Sequence, residues 1–106
     1  SNVTSAGHAV ETAGALSAGT GITIKGVSST QWGYVTSSSI STTAGNIDIT
    51  GIGINGVYVM HDMIASAGSI TVNSVATSNV WSYYAQTTTH YYIAGTSITI
   101  AAYSDL

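Results

Sequence analysis

Cysteine, proline and phenylalanine are all absent from this chain of 106 residues. Without cysteine the chain can form neither disulfide bonds nor thiolate metal sites. Charged residues make up 5% of the sequence, far below the ~25% of ordinary soluble domains. Lys25 is the only basic residue and the net charge is -3. A nucleic-acid surface and an electrostatic membrane anchor both need clustered Lys and Arg, so neither is expected. No apolar run approaches the ~18 residues of a membrane-spanning helix.

The residues that are present favour β-structure in a single domain. Hydrophobic residues make up 44% of the chain, which is enough to build a core and argues against disorder. Ile, Val, Thr and Tyr occur in short alternating runs, as is typical of strands with one buried face. Ser, Thr, Gly and Asn take the place of charged residues on the surface, and this composition favours a secreted or cell-surface protein.

Three sets of residues recur with a common spacing of about 24 positions. The first set follows Ala-Gly turns and comprises Ile22/Ile24, Ile47/Ile49, Ile70/Val72 and Ile98/Ile100. The second set comprises Leu16, Ile40 and Ile64, with Ile93 after a longer gap. The third set comprises Tyr34-Val35, Tyr58-Val59 and Tyr83-Tyr84. A fixed period shared by several sets is the signature of a solenoid.

The repeat predicts an all-β fold, a short parallel β-helix of about four coils. Each coil would hold three short strands, and successive coils would stack at ~4.8 Å with inward Ile and Val in columns. Residues 16–106 would form the repeats, while residues 1–15 would be an irregular N-terminal segment or a donor strand. A β-sandwich is the alternative, since short strands spaced 8–12 residues apart also fit that fold. A sandwich, however, gives no reason for three sets to share one period.

The repeats resemble those of filamentous-haemagglutinin-like adhesins and related autotransporter passengers. The segments TTAGNIDITGIGINGVYV and ASAGSITVNSV carry the resemblance, with weaker matches in SAGTGITIKGV and AGTSITIAAY. Together they span roughly Leu16 to Ala102, although this chain is much shorter than members of that family. The resemblance implies a right-handed parallel β-helix used as a secreted stalk or adhesive rod.

No residue is predicted to be catalytic, to bind a metal or to hold a cofactor. The segment from Gly51 to Gly56 matches G-x-G-x-x-G, but a strand follows it where a dinucleotide site requires a helix. His61 precedes Asp62, yet His8, His61 and His90 lie too far apart in sequence to match a ligand pattern. Hydroxyls are plentiful, but there is no Gly-x-Ser-x-Gly elbow to make a serine nucleophilic. We therefore expect a protein that is not an enzyme.

Five aromatic residues are the predicted contact site: Tyr34, Tyr58, Tyr83, Trp32 and Trp81. The three tyrosines fall at equivalent positions of successive coils in the predicted register, and alternation places them outward. Exposed aromatic residues mark contact surfaces, so this strip would bind a glycan or a neighbouring subunit. Alternatively it only stabilises the sheet through cross-strand stacking. Asn2 begins an N-glycosylation sequon.

These observations predict a non-enzymatic extracellular structural protein, either a segment of an adhesin stalk or the subunit of a self-assembling filament. Its partners would be further copies joined end to end, or the continuation of a larger adhesin, because a solenoid presents unpaired strand edges at both ends. The alternative function is a carbohydrate-binding module that uses the Tyr and Trp strip. An ice-binding solenoid is less well supported because the outward Thr positions are irregular.

Overall fold

The computed structural model describes residues 10–12, 14–77, 83–85 and 92–104, and every regular element in these segments is a β-strand. The strands are β1 (Val10–Thr12), β2 (Leu16–Ala18), β3 (Ile22–Val27), β4 (Trp32–Thr36), β5 (Ile40–Thr42), β6 (Ile47–Gly53), β7 (Asn55–Val59), β8 (Met63–Ala65), β9 (Ile70–Ala76), β10 (Tyr83–Ala85), β11 (Tyr92–Ala94) and β12 (Ile98–Ser104).

The strands form three parallel sheets of four strands each. Sheet 1 contains β1, β4, β7 and β10; sheet 2 contains β2, β5, β8 and β11; sheet 3 contains β3, β6, β9 and β12. Each strand therefore pairs with the strand three places later in the chain, one coil further along. This arrangement is a β-solenoid with a period of about 24 residues, which confirms the predicted fold class and replaces the sandwich alternative. The repeat also begins earlier than residue 16, because β1 already pairs with β4.

The predicted core column of sheet 3 is in register. Ile24 pairs with Ile49, Ile49 with Val72, and Val72 with Ile100. The first three are 4%, 1% and 0% exposed. Ile100 is 39% exposed, so its predicted burial is wrong. The reason is its position: β12 is the last strand of sheet 3, and an inward side chain there has a neighbouring strand on one side only.

The other two predicted registers each contain a shift of one residue. In sheet 1 the shift affects only the third coil, where Val57 takes the place predicted for Tyr58, and in sheet 2 it runs from the third coil onward. Met63, and not Ile64, pairs with Ile40, and Tyr92, and not Ile93, pairs with Met63. Met63 is fully buried, whereas Ile93 is 51% exposed. Because side chains alternate between the two faces of a strand, a slip of one residue moves the whole set to the other face.

Glycine allows sheets 3 and 1 to converge where one strand leads into the next. A Cβ built on Gly33 would lie 2.3 Å from the backbone nitrogen of Ile52, and a Cβ on Gly26 would lie 1.9 Å from the carbonyl oxygen of Gly33. The neighbours are backbone atoms, which cannot move aside as a flexible side chain can. The coil is thus wide where Ile47 and Ile49 point inward and narrow where glycine takes the inward positions.

Ser74 occupies the same column as Gly26 and Gly51 in the third coil. Its hydroxyl oxygen accepts a hydrogen bond of 2.9 Å from the backbone N–H of Val57, and Ser74 is 1% exposed. The narrow side of the coil therefore admits a small polar residue when its hydroxyl is satisfied by the facing backbone.

We predict that Ile49→Ala lowers the free energy of unfolding by about 2–5 kcal/mol, because it leaves a cavity in a closely packed column. Ile100→Ala is the matched control, with the same change in the same column at an exposed position, and it should cost clearly less. Urea unfolding followed by circular dichroism measures both. Equal losses for the two variants would contradict the burial gradient along this column.

Gly33→Ala should destabilise the protein more than the general Gly-to-Ala effect, because the new methyl group meets the backbone of Gly51 and Ile52 within 3 Å. Gly14→Ala provides the control, since a Cβ there has no neighbour within 4 Å. Thermal melts of the two variants test the contact. If Gly33→Ala melts at the same temperature as Gly14→Ala, the close approach of sheets 3 and 1 is not required for stability.

Candidate functional site

At the end of the solenoid formed by β12, apolar side chains are exposed at positions whose equivalents in every earlier coil are buried. Ile98 and Ile100 are 44% and 39% exposed, whereas their partners Ile70 and Val72 on β9 are fully buried. All four side chains point inward by register, so the exposed apolar surface belongs to the core of the coil. We call this surface, formed by the inward side chains of β12, the open end.

The backbone of β12 also directs hydrogen-bonding groups out of this end, where no strand of the described residues lies. At the start of sheet 3, the N–H of each inward isoleucine donates to a carbonyl of the next coil: Ile22 to Asn46, Ile47 to Ser69 and Ile70 to Ser97, each at 2.9 Å. In a parallel ladder, alternate residues bond to opposite neighbours. The same alternation directs the N–H and C=O groups of Ile98, Ile100 and Ala102 away from β9, towards the position that another strand would occupy.

The opposite end of the same sheet differs. Ile22 and Ile24, the inward isoleucines of β3, are only 8% and 4% exposed, although β3 is also an edge strand. Val10 of β1 lies against this end of the core: its side chain is 3.2 Å from the Cβ position of Gly26, and it is 4% exposed. The two ends of the solenoid are therefore unequal, with the apolar interior covered at β3 and open at β12.

A second apolar feature runs along the outer face of sheet 3. One residue from each strand of that sheet is apolar and in register: Val27, Ile52, Val75 and Tyr103. Val27 and Tyr103 are 51% and 59% exposed, and the two central residues are half-buried. The column was not identified from sequence, although each member follows an inward isoleucine by five residues and therefore lies on the opposite face.

The prediction that the three tyrosines form an outward strip is wrong, because two of them point inward. Tyr34 and Tyr83 both pair with Val57 and point inward, and Tyr34 is fully buried. Tyr58 instead pairs with Val35 and lies on the outer side, half-buried. The cause is the spacing between coils: Tyr34 is 23 positions before Val57 and 24 before Tyr58, and the structure uses the shorter step.

The hydroxyl groups of the inward tyrosines form hydrogen bonds with other side chains. The hydroxyl of Tyr34 hydrogen bonds to that of Thr12 at 2.8 Å, and the hydroxyls of Tyr83 and Tyr92 meet at 2.5 Å. Burial raises the pKa of Tyr34, an effect partly offset by its hydrogen bonds to Thr12 and Thr36. Burial also raises the pKa of Tyr83 and that of Tyr92. These tyrosines therefore contribute to the core as neutral phenols.

Two of the predicted aromatic contact residues remain together on the outer side. The rings of Trp32 and Tyr58 are 5.2 Å apart between centroids and tilted by 57°, a geometry that is typical of stabilising aromatic pairs. Both residues are half-buried. Trp81 lies outside the described residues, as do Asn2, His8 and His90.

The segment from Gly51 to Gly56 leads from β6 into β7 and is the narrow side of the coil, with no helix after it. The side-chain oxygen of Asn55 in this segment is buried and has no hydrogen-bond partner among the described residues. Within the described ranges, no three His, Cys, Asp or Glu residues are grouped so that they could hold a metal ion. Over the same ranges, no helix is long and apolar enough to span a membrane.

Comparisons with models of protein families, with curated proteins and with solved structures find no match to this chain.

Raised tyrosine pKa values predict loss of stability at alkaline pH. The unfolded chain ionises its tyrosines near pH 10, whereas the buried phenols resist ionisation. Stability should be constant between pH 7 and about 9 and then fall by up to ~1.4 kcal/mol per pH unit for each such tyrosine. Urea unfolding midpoints measured from pH 7 to 11 test this expectation.

The control for this prediction is the double variant Tyr83→Phe, Tyr92→Phe, which removes two of the three tyrosines described here with a raised pKa. Its stability should depend less steeply on pH above 10 than that of the parent chain. An unchanged alkaline slope would show that these two hydroxyls are not the groups responsible.

Proposed function

We propose that this chain is a non-enzymatic structural segment of an extracellular protein, an adhesin stalk segment or a filament subunit, that extends by adding β-strands at β12. The observation that carries the proposal is the open end. The open end combines exposed apolar side chains with backbone groups that point out of the sheet. Addition of one strand to β12 would cover the side chains and pair the backbone groups.

The sequence of β12 supports strand addition. Native proteins protect exposed edge strands with proline, with charged side chains or with bulges. The seven residues of β12 include neither proline nor a charged residue. Each added backbone hydrogen bond would contribute ~0.5–1.5 kcal/mol net, and burial of Ile98 and Ile100 would add to that. Little charge repulsion opposes association, because the net charge is only -3.

A structural role also fits the way in which the chain uses its residues. Its inward positions build a continuous core, and its outward positions are mostly uncharged, with an outward threonine on every strand of sheet 3. A surface that is rich in Ser and Thr and poor in charge is the basis for proposing an extracellular location. The sequence contains no catalytic motif, so the proposal assigns no reaction.

Carbohydrate binding is the weaker alternative. It was predicted from five aromatic residues, of which Tyr34 and Tyr83 point inward and only Trp32 and Tyr58 are seen together on the outer side. Within the part of the chain that the structure describes, the predicted glycan site would therefore rest on this one aromatic pair.

Association through the open end is tested by a charge placed at an inward position of β12. Ile100→Lys should abolish concentration-dependent assembly in sedimentation experiments, because a lysine there faces the docking surface. Asn73→Lys adds the same charge at an exposed outward position of the neighbouring strand β9, away from the edge, and should leave assembly intact. A parent chain that remains monomeric at high concentration, or equal inhibition by both variants, would contradict the proposal.

A further inference from the structure

The two ends of the solenoid expose unequal amounts of apolar surface, and this inequality indicates which partner fits the open end. Stacking of one copy on the next, head to tail, would place the exposed Ile98 and Ile100 against an end whose Ile22 and Ile24 are already 8% and 4% exposed. That contact would cover one apolar end and leave little further apolar surface to bury on the other. Two open ends that face each other would bury apolar side chains from both copies.

We infer that β12 pairs with β12 of a second copy, antiparallel and about a twofold axis, to give a closed dimer. This inference rests on the proposed strand addition at β12 and specifies its partner. A twofold contact uses the same surface on both copies and ends growth at that edge. Growth into a filament would then need a different surface, so the two modes of assembly are separable by experiment.

The alternation of backbone groups fixes the register. The outward groups of Ile98, Ile100 and Ala102 must meet outward groups of alternate residues on the second copy, because antiparallel partners exchange both of their hydrogen bonds. A register centred on Ala101 meets this requirement and pairs the whole strand, since Ala101 is the middle of the seven residues of β12. Ile100 then lies opposite Ala102 of the second copy, and Ala102 opposite Ile100.

Side-chain sizes and faces agree with this register. Directly opposite residues of an antiparallel pair share a face, so Ile100 and Ala102 meet on the inner face as a large and a small residue. On the outer face, Thr99 lies opposite Tyr103, a β-branched and aromatic combination that stabilises cross-strand pairs. No charged residue occurs within β12, so the twofold contact brings no like charges together.

The central pair gives a direct test, because the natural chain contains no cysteine. In the centred register Ala101 faces Ala101 of the second copy in a non-hydrogen-bonded pair, with Cα atoms ~4.5 Å apart. That separation lies in the range that a disulfide can bridge. Ala101 is exposed and on the outer face, so the Ala101→Cys variant should retain the fold and form a disulfide-linked dimer under mild oxidation.

Asn73→Cys is the matched control. Asn73 is exposed, pairs directly with Ala101 and lies one strand further from the end. In the twofold dimer its two copies would be separated by three strand spacings, about 14 Å, which is too far for a disulfide. Most of the Ala101→Cys protein should therefore be cross-linked, while Asn73→Cys gives only background, with both circular dichroism spectra matching that of the parent chain.

Sedimentation of the parent chain separates the remaining outcomes. A species that saturates at twice the monomer mass, together with cross-linking of Ala101→Cys, supports the twofold dimer. Polymers that grow with concentration, without cross-linking of Ala101→Cys, would overturn the twofold contact and support strand addition head to tail. A monomer at all concentrations, without cross-linking, would overturn both the twofold contact and the proposed strand addition.

Discussion

Hydrogen bonds between successive coils are the constraint on which the rest of this structure depends. The N–H of an inward residue donates to a carbonyl of the next coil at the same point of sheet 3 in three successive coils: Ile22, Ile47 and Ile70. This repetition fixes which residue stacks on which, and it makes every interior position a column. The packing of an interior side chain therefore depends on the residues above and below it in its column more than on its neighbours in sequence.

Columns restrict what the interior can accept. Ile, Val and Met fill the wide parts of the coil, and the buried hydroxyl groups of Thr36, Thr42 and Ser74 each have a local hydrogen-bond partner. Thr36 and Thr42 are each 1% exposed, and their hydroxyls donate to the carbonyl oxygens of Ser38 and Gly45, both at 2.7 Å. These bonds satisfy turn carbonyls next to the strands, so two buried hydroxyls stabilise the corners of the coil in a chain that has no proline and few charged residues.

The sequence was sufficient to predict what depends on alternation and period. The fold class, the parallel stacking and the register of Ile24, Ile49, Val72 and Ile100 all follow from positions that stay in phase through the whole chain. The register of sheets 1 and 2 was not predictable in the same way, because a strand of three or five residues holds too few apolar positions to distinguish a step of 23 from one of 24. Met63 and Ile64 are both apolar, and only packing against Ile40 decides between them.

The uncertainty of one residue in register also explains why the aromatic site was predicted incorrectly. Tyr34, Tyr58 and Tyr83 look equivalent by residue type, yet Val57 takes the inward position between Tyr34 and Tyr83. A tyrosine is tolerated on either face, inward when its hydroxyl finds Thr12 or another tyrosine, and outward when its ring finds Trp32. Residue type alone therefore does not fix its direction. The open end was easier to foresee, because unpaired edges follow from stacking itself.

The inequality of the two ends was visible only in the structure, since the inward positions of β3 and β12 carry nearly the same residues. Ile22 and Ile24 match Ile98 and Ile100 in type and in column, but the first pair is buried and the second is not. The difference therefore cannot come from the isoleucines themselves. It comes from what lies over them, and at the β12 end the sheet stops at a strand whose core face is still exposed. An interior built from columns stays exposed at its last strand unless another strand continues the columns, and the proposed strand addition at β12 rests on this exposure.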